Sequence, residues 1–240
     1  MGGYEVEVAV RKTPKRGVTT SGDSLDVVER PGGGLSIVMA DGQGSGPAAK
    51  RISNLVVARA VSLIADGVRD GAVARAVHDN LFSFRGGKVV CTLTILSVDL
   101  RTNTFVISRN GNAGAWLFDQ GDEMRLIDEV PAIGVHQFTK PQIHEAPLEP
   151  GNWACIYTDG VRAVSRSEGG VLDLGIDPAT FTDLIKGGAR GMADQLFDTA
   201  LSLASGRPRD DLSLALALIS DQPRALGEVA IRAIDIRFPF

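Results

Sequence analysis

The sequence predicts an α+β fold in which two antiparallel β-sheets pack together and helices cover their outer faces. Strand-like runs follow one another across short turns, which join antiparallel neighbours and need no crossover helix. Segments with a helical apolar period fall in two groups, one after the first strands and one before the last core strand. A chain of 240 residues, 44% hydrophobic and 22% charged, suits one domain with a large core.

The elements follow in order. Tyr4 to Val10 alternates Val6, Val8 and Val10 with Glu5, Glu7 and Ala9, the period of a half-buried strand. Leu25 to Glu29 is a second strand. The turn Gly32-Gly33-Gly34 feeds a third, Leu35 to Ala40, which stops at Asp41-Gly42-Gln43-Gly44-Ser45-Gly46. Ala48, Ile52, Leu55, Val56, Ala60, Leu63 and Ile64 then recur at helical spacing up to Gly67, and Gly71 to Phe84 is a second helix. Strands resume at Val89 to Leu100, Thr104 to Ser108, Ala115 to Phe118, Met124 to Ile127, Ile143 to Pro147 and Trp153 to Thr158, with turns such as Arg101-Thr102-Asn103 and Gln120-Gly121-Asp122. Helices are predicted at Pro178 to Lys186 and at Ala189 to Ala204, where Met192, Leu196, Phe197, Ala200 and Leu201 form a stripe. Leu212 to Ile219 is an apolar strand. Residues 1–240 read as one domain, with 221–240 a C-terminal extension whose alternating Val229, Ile231, Ile234 and Ile236 predict an added edge strand.

Charge and composition exclude several classes of function. The net charge is -4, and no basic run is present to neutralise a nucleic-acid backbone. The longest apolar stretches are interrupted by Thr, Ser or Asp and fall short of the ~20 residues a membrane span needs. Met1 to Lys15 has no apolar core of a secretory signal, so a cytoplasmic location is expected. Cys91 and Cys155 sit in apolar strand-like runs and read as buried thiols, neither catalytic nor zinc ligands.

Four aspartates carry the chemistry. Asp23 lies in Ser21-Gly22-Asp23-Ser24, Asp41 in Ala40-Asp41-Gly42, Asp159 in Thr158-Asp159-Gly160 and Asp210 in Arg209-Asp210-Asp211-Leu212. Singly, each reads as a turn or cap residue. Together, carboxylates at the ends of buried strands would repel one another unless protonated or neutralised by cations. Hard divalent ions such as Mg²⁺ and Mn²⁺ take oxygen ligands and keep several waters, so a few carboxylates and one carbonyl suffice. Gly42 leaves the backbone open enough for its carbonyl to serve.

The ordered set of Ser21-Gly22-Asp23-Ser24, Ala40-Asp41-Gly42-Gln43-Gly44-Ser45-Gly46, Tyr157-Thr158-Asp159-Gly160 and Asp210-Asp211-Leu212-Ser213 resembles the metal-dependent PPM serine/threonine protein phosphatases. It is most similar to their bacterial SpoIIE/RsbU/RsbX branch, and Pro131-Ala132-Ile133-Gly134 resembles that branch's Pro-Ile-Gly turn. The resemblance runs from Ser21 to Ile219. It implies a central pair of antiparallel sheets flanked by helix pairs. It also implies two Mn²⁺ or Mg²⁺ ions, held by Asp23, Asp41, the Gly42 carbonyl, Asp159 and Asp210. Asp41 would bridge the two ions and, with Asp159, act through metal-bound water. Asp211 and Gln43 would stand just behind. The implied substrate is a phosphorylated STAS-domain anti-anti-sigma or stressosome protein of a partner-switching pathway, and the chain looks like the free-standing RsbX type.

The sequence departs from the wider family at two points. The histidine that follows Asp-Gly in many relatives is Gln43, which cannot protonate a leaving alkoxide. Arg11 and Arg16 sit near the expected phosphate-clamping arginine but in no matching motif. His78, His136 and His144 lack ligand spacing and read as surface or capping residues, while Ser21, Ser24 and Ser45 lack a paired base and read as turn residues. Two other readings share these features: a phosphatase-like module that binds without turnover, and a two-metal hydrolase of small phosphorylated molecules.

Overall fold

The computed structural model describes residues 4–119, 121–164, 185–221, 232–234 and 236–237. The strands are β1 (Tyr4–Thr13), β2 (Asp23–Glu29), β3 (Gly34–Gly42), β4 (Cys91–Asp99), β5 (Thr104–Asn110), β6 (Gly114–Asp119), β7 (Asp122–Leu126), β8 (Gln142–Pro147), β9 (Trp153–Tyr157) and β10 (Leu212–Asp221). The helices are α1 (Gly46–Ala65), α2 (Asp70–Arg85), α3 (Asp159–Val164) and α4 (Gly188–Leu203). Sheet A has the order β1-β10-β9-β6-β7 and sheet B the order β2-β3-β4-β5-β8, with five strands each. Every pairing is antiparallel.

Three apolar layers hold this sandwich together. Between the sheets, Ile37, Met39, Leu96 and Val98 of sheet B meet Ala154, Ile156, Ala215, Ala217 and Ile219 of sheet A. Residues of opposite parity on the same strands point outward: Val38, Ala40, Leu93 and Ile95 pack on α1 and α2, and Leu214, Leu216 and Leu218 pack on α4. Strands buried on both faces must be apolar at consecutive positions, which explains the run from Leu214 to Ile219. At the outer face of sheet A, Trp116 meets Trp153 edge-on with centroids 5.2 Å apart.

The α+β sandwich is the one the sequence predicts, with differences at the margins. β3 runs on through Asp41 and Gly42, so Asp41 sits inside the ladder instead of following it. The short helix α3 was not predicted, because six residues span less than two turns and show no period. Of the helix predicted at Pro178 to Lys186, residues 178–184 lie outside the described residues. So do residues 222–231, 235 and 238–240 of the tail; the described tail residues carry no strand assignment.

Candidate metal centre

Strand pairing brings the aspartates together. β2 and β3 form a hairpin in which Asp23 lies directly opposite Asp41. Facing positions on antiparallel strands are about 5 Å apart, and like charges there destabilise the ladder. Sheet A supplies the other carboxylates from one of its ends. Thr158, just past β9, donates its N–H to the Ser213 carbonyl at 3.0 Å, which sets Asp159 beside Asp210 and Asp211 at the start of β10. The sheets are tied here by Ser213 Oγ, which donates to the buried Asp23 carboxylate at 2.6 Å.

The electrostatics report the crowding. Burial, then the charges of Asp23, Asp159, Asp210 and Asp211, push the Asp41 carboxyl up to about 9. Burial also raises Asp23 to about 6, opposed by the Ser213 hydrogen bond and the Lys12 charge. Asp159 is raised by burial and by Asp210, and a hydrogen bond from Asp41 works against that rise. Burial and the neighbouring charges thus favour a proton on Asp41. A divalent cation relieves the same repulsion without a proton.

The donor set fits hard cations in an open arrangement. Asp41, Gly42, Asp159 and Asp210 line one cleft of about 280 Å³, together with Gln43, Thr92 and Asn112. Among the described residues, no three His, Cys, Asp or Glu side chains close into a metal cage. Mg²⁺-type ions are held by one or two carboxylates and complete their shell with water, so an open rim of oxygens is the appropriate form. Two glycines permit the crowding. A Cβ on Gly42 would stand 2.2 Å from the Ala49 carbonyl oxygen, and one on Gly160 would stand 2.1 Å from that of Asp211. Any larger residue would drive α1 off β3, or the Asp159 corner off the Asp210-Asp211 turn.

The remaining predicted residues take distinct places. Asp23 is buried behind the cleft and does not line it. Asp211 accepts backbone N–H groups from Lys15 at 2.7 Å and Gly22 at 2.6 Å, so it braces the segment leading into Asp23. Gln43 Oε1 accepts the Val90 N–H at 3.1 Å, which fixes the cleft wall. Cys91 and Cys155 are buried free thiols, as expected. His78 corrects the surface-or-capping expectation in part: it is wholly buried, and its Nδ1 accepts the Gly134 N–H at 3.1 Å, anchoring the Pro131–Gly134 strap.

Several contributors were not legible in the sequence. Lys12 and Lys50 both donate to the Asp23 carbonyl, placing two ammonium groups beside the carboxylates. Burial and the Lys50 charge lower Lys12 to about 8, although much of its side chain reaches solvent. Arg109 is wholly buried; it donates to the carbonyls of Ala113 and Asp128 and to Gln142 Oε1, tying together the loops behind Asn112 and Val130 at the cleft mouth. An arginine in an apolar strand gives no hint of such a task.

The family model described as Stage II sporulation protein E (SpoIIE) matches residues 31–219. The chain belongs to the SpoIIE family. Among solved structures, the PP2C phosphatase domain of SpoIIE from Bacillus subtilis, with a fragment of its regulatory domain, superposes with a TM-score of 0.77 at 19% identity. That match covers 91% of this chain and 64% of the other, so the chain spans less than two thirds of that relative. RsbX in complex with magnesium matches with a TM-score of 0.68 at 20% identity, over 92% of this chain and all of RsbX. The catalytic domain of the serine/threonine phosphatase PstP with two manganese ions matches at 0.67 and 17%, over 91% of this chain and all of that one. No curated protein sequence matches significantly. The fold of this SpoIIE-family chain is thus that of the metal-dependent PPM phosphatases.

Proposed function

We propose that this chain is a metal-dependent serine/threonine phosphoprotein phosphatase. The observation that carries the reading is the convergence of Asp23 and Asp41 from sheet B with Asp159 and Asp210 from sheet A, close enough that the Asp41 carboxyl is pushed up to about 9. Asp41, the Gly42 carbonyl, Asp159 and Asp210 would hold two Mn²⁺ or Mg²⁺ ions, with Asp23 buried beside Asp41. Bound there, the ions would supply a water nucleophile at neutral pH and stabilise charge on the phosphoryl oxygens. Asp41 and Asp159, which line the same cleft, would orient the attacking water toward the phosphoryl group. Gln43 and Asn112 wall the cleft, and the strap at Val130 and Ala132 limits how the phosphorylated residue enters.

The substrate is a phosphorylated STAS-domain protein of a bacterial partner-switching pathway, and the protein acts in the cytoplasm. Family membership and the likeness to RsbX support this. No helix among the described residues is long and apolar enough to cross a membrane. The open ligand arrangement also favours a second reading, a module that docks a phosphoprotein without turnover. The deciding experiment is Mn²⁺-dependent phosphate release from a phosphorylated STAS protein and from p-nitrophenyl phosphate, comparing wild type with Asp41→Ala. Release that Asp41→Ala and EDTA abolish is expected; binding of the phosphoprotein with no release under any metal would leave the docking module. Hydrolysis confined to small molecules would point to the two-metal hydrolase.

A further inference from the structure

A depression of about 470 Å³ is lined by Arg16, Ala204, Ser205, Arg207, Pro208 and Arg209, the last of which directly precedes Asp210 of the metal cleft. It is assembled from two segments far apart in the chain. The Arg16 N–H donates to the Pro208 carbonyl at 2.9 Å, and the Lys15 N–H donates to Asp211 Oδ1 at 2.7 Å. The end of α4 is closed by its own turn, with Gly206 N–H on the Leu201 carbonyl at 2.9 Å and Arg207 N–H on that of Ala204 at 3.0 Å. Among the described residues, the guanidinium groups donate to neither of those carbonyls.

All three arginines are exposed, and among the described residues none makes an ion pair with a carboxylate. Exposed arginines are usually a solvated face. Here three of them converge on one concavity in a chain of net charge -4, one residue along the chain from Asp210 of the aspartate cluster. Arg209 adjoins Asp210 in sequence, and Arg207 lies at most ~11 Å from it along the chain. An extended peptide covers that distance in about three residues.

We propose that this depression docks a carboxylate-rich stretch of the phosphoprotein substrate, lying a few residues from the phosphorylated side chain. The idea rests on the phosphatase reading above and adds the substrate's flanking chemistry. Planar guanidinium groups suit carboxylates, and exposed pairs of this kind give modest affinity that salt weakens.

The test uses three peptides of equal length: an unphosphorylated one with Asp and Glu two to five residues from the serine, its Asn/Gln analogue, and the phosphorylated acidic form. Fluorescence anisotropy with the full chain should show the acidic peptide binding about tenfold more tightly than the amide analogue at low salt. The Arg16→Glu/Arg207→Glu variant should abolish that preference, as should high salt, and the milder Arg207→Ala should reduce it about threefold with an unchanged circular dichroism spectrum. Equal affinities in the wild type, or a preference that survives charge reversal, would overturn the proposal. Phosphate release from the phosphorylated peptide is followed in parallel with Mn²⁺. Release without acidic preference removes the docking site and keeps the phosphatase; acidic binding without release does the opposite.

Discussion

Replacing Asp41 by Asn should stabilise the metal-stripped protein while abolishing its activity. In the fold the Asp41 carboxyl is pushed up to about 9 by burial and four neighbouring carboxylates, from an ordinary value of 3.8. A group raised in this way contributes stability that is full below the unfolded value, near pH 4, and is lost as pH climbs toward 9. At pH 7 the displaced titration costs the folded state on the order of 4 kcal/mol, and at pH 5 about 2 kcal/mol. Asn keeps the shape and can still donate to Asp159, yet carries no charge. One kcal/mol moves Tm by about 2–4 °C in a chain of this size. Because neighbouring carboxylates share one repulsion, a rise of at least about 5 °C at pH 7 in EDTA is expected, shrinking at pH 5. Melting followed by circular dichroism reads this directly. Excess Mn²⁺ should then raise the Tm of the wild type and leave the variant unmoved. A variant that melts at or below wild type in EDTA at pH 7 would refute the crowding argument.

Other perturbations separate chemistry from scaffold. Asp159→Asn should lower Mn²⁺-dependent phosphate release by about 100-fold or more with unchanged far-ultraviolet circular dichroism; an unchanged rate counts against its role. Gly160→Ala should be comparably inactive, since its Cβ would meet the Asp211 carbonyl oxygen at 2.1 Å; full activity would show that the Asp159 corner moves without consequence. Away from the cleft, Asp70 forms a buried ion pair with Arg30 at 3.0 Å and accepts from Ser97 at 2.8 Å. Asp70→Ala leaves that guanidinium without its carboxylate and should cost about 3–5 kcal/mol in urea unfolding, while Arg30→Met/Asp70→Leu should recover much of the loss. His78→Ala should loosen the strap and speed hydrogen exchange at the Gly134 amide; unaltered exchange would mean that the bridge between Ile133 and Cys91 holds it alone.

The sequence by itself determined the layer order and which aspartates stand at the strand ends. Alternation in Tyr4 to Val10 and the apolar run from Leu212 to Ile219 follow from how many faces of each strand are buried, so pattern alone reveals them. Asp-Gly pairs at strand ends likewise announce themselves, because glycine is needed wherever backbone must come within contact distance of another segment.

Only the tertiary structure decided who meets whom. The pairing of Asp23 with Asp41 depends on hairpin register, and the docking of Asp159 against Asp210 depends on β9 lying next to β10. Neither can be read from local spacing. Asp211, Lys12, Arg109 and His78 were assigned their tasks by contacts with residues 11 to 196 positions away, the longest joining Lys15 to Asp211. Long-range electrostatics and hydrogen bonds leave no periodic trace in a sequence, because their partners are set by the packing of two sheets and not by neighbours along the chain.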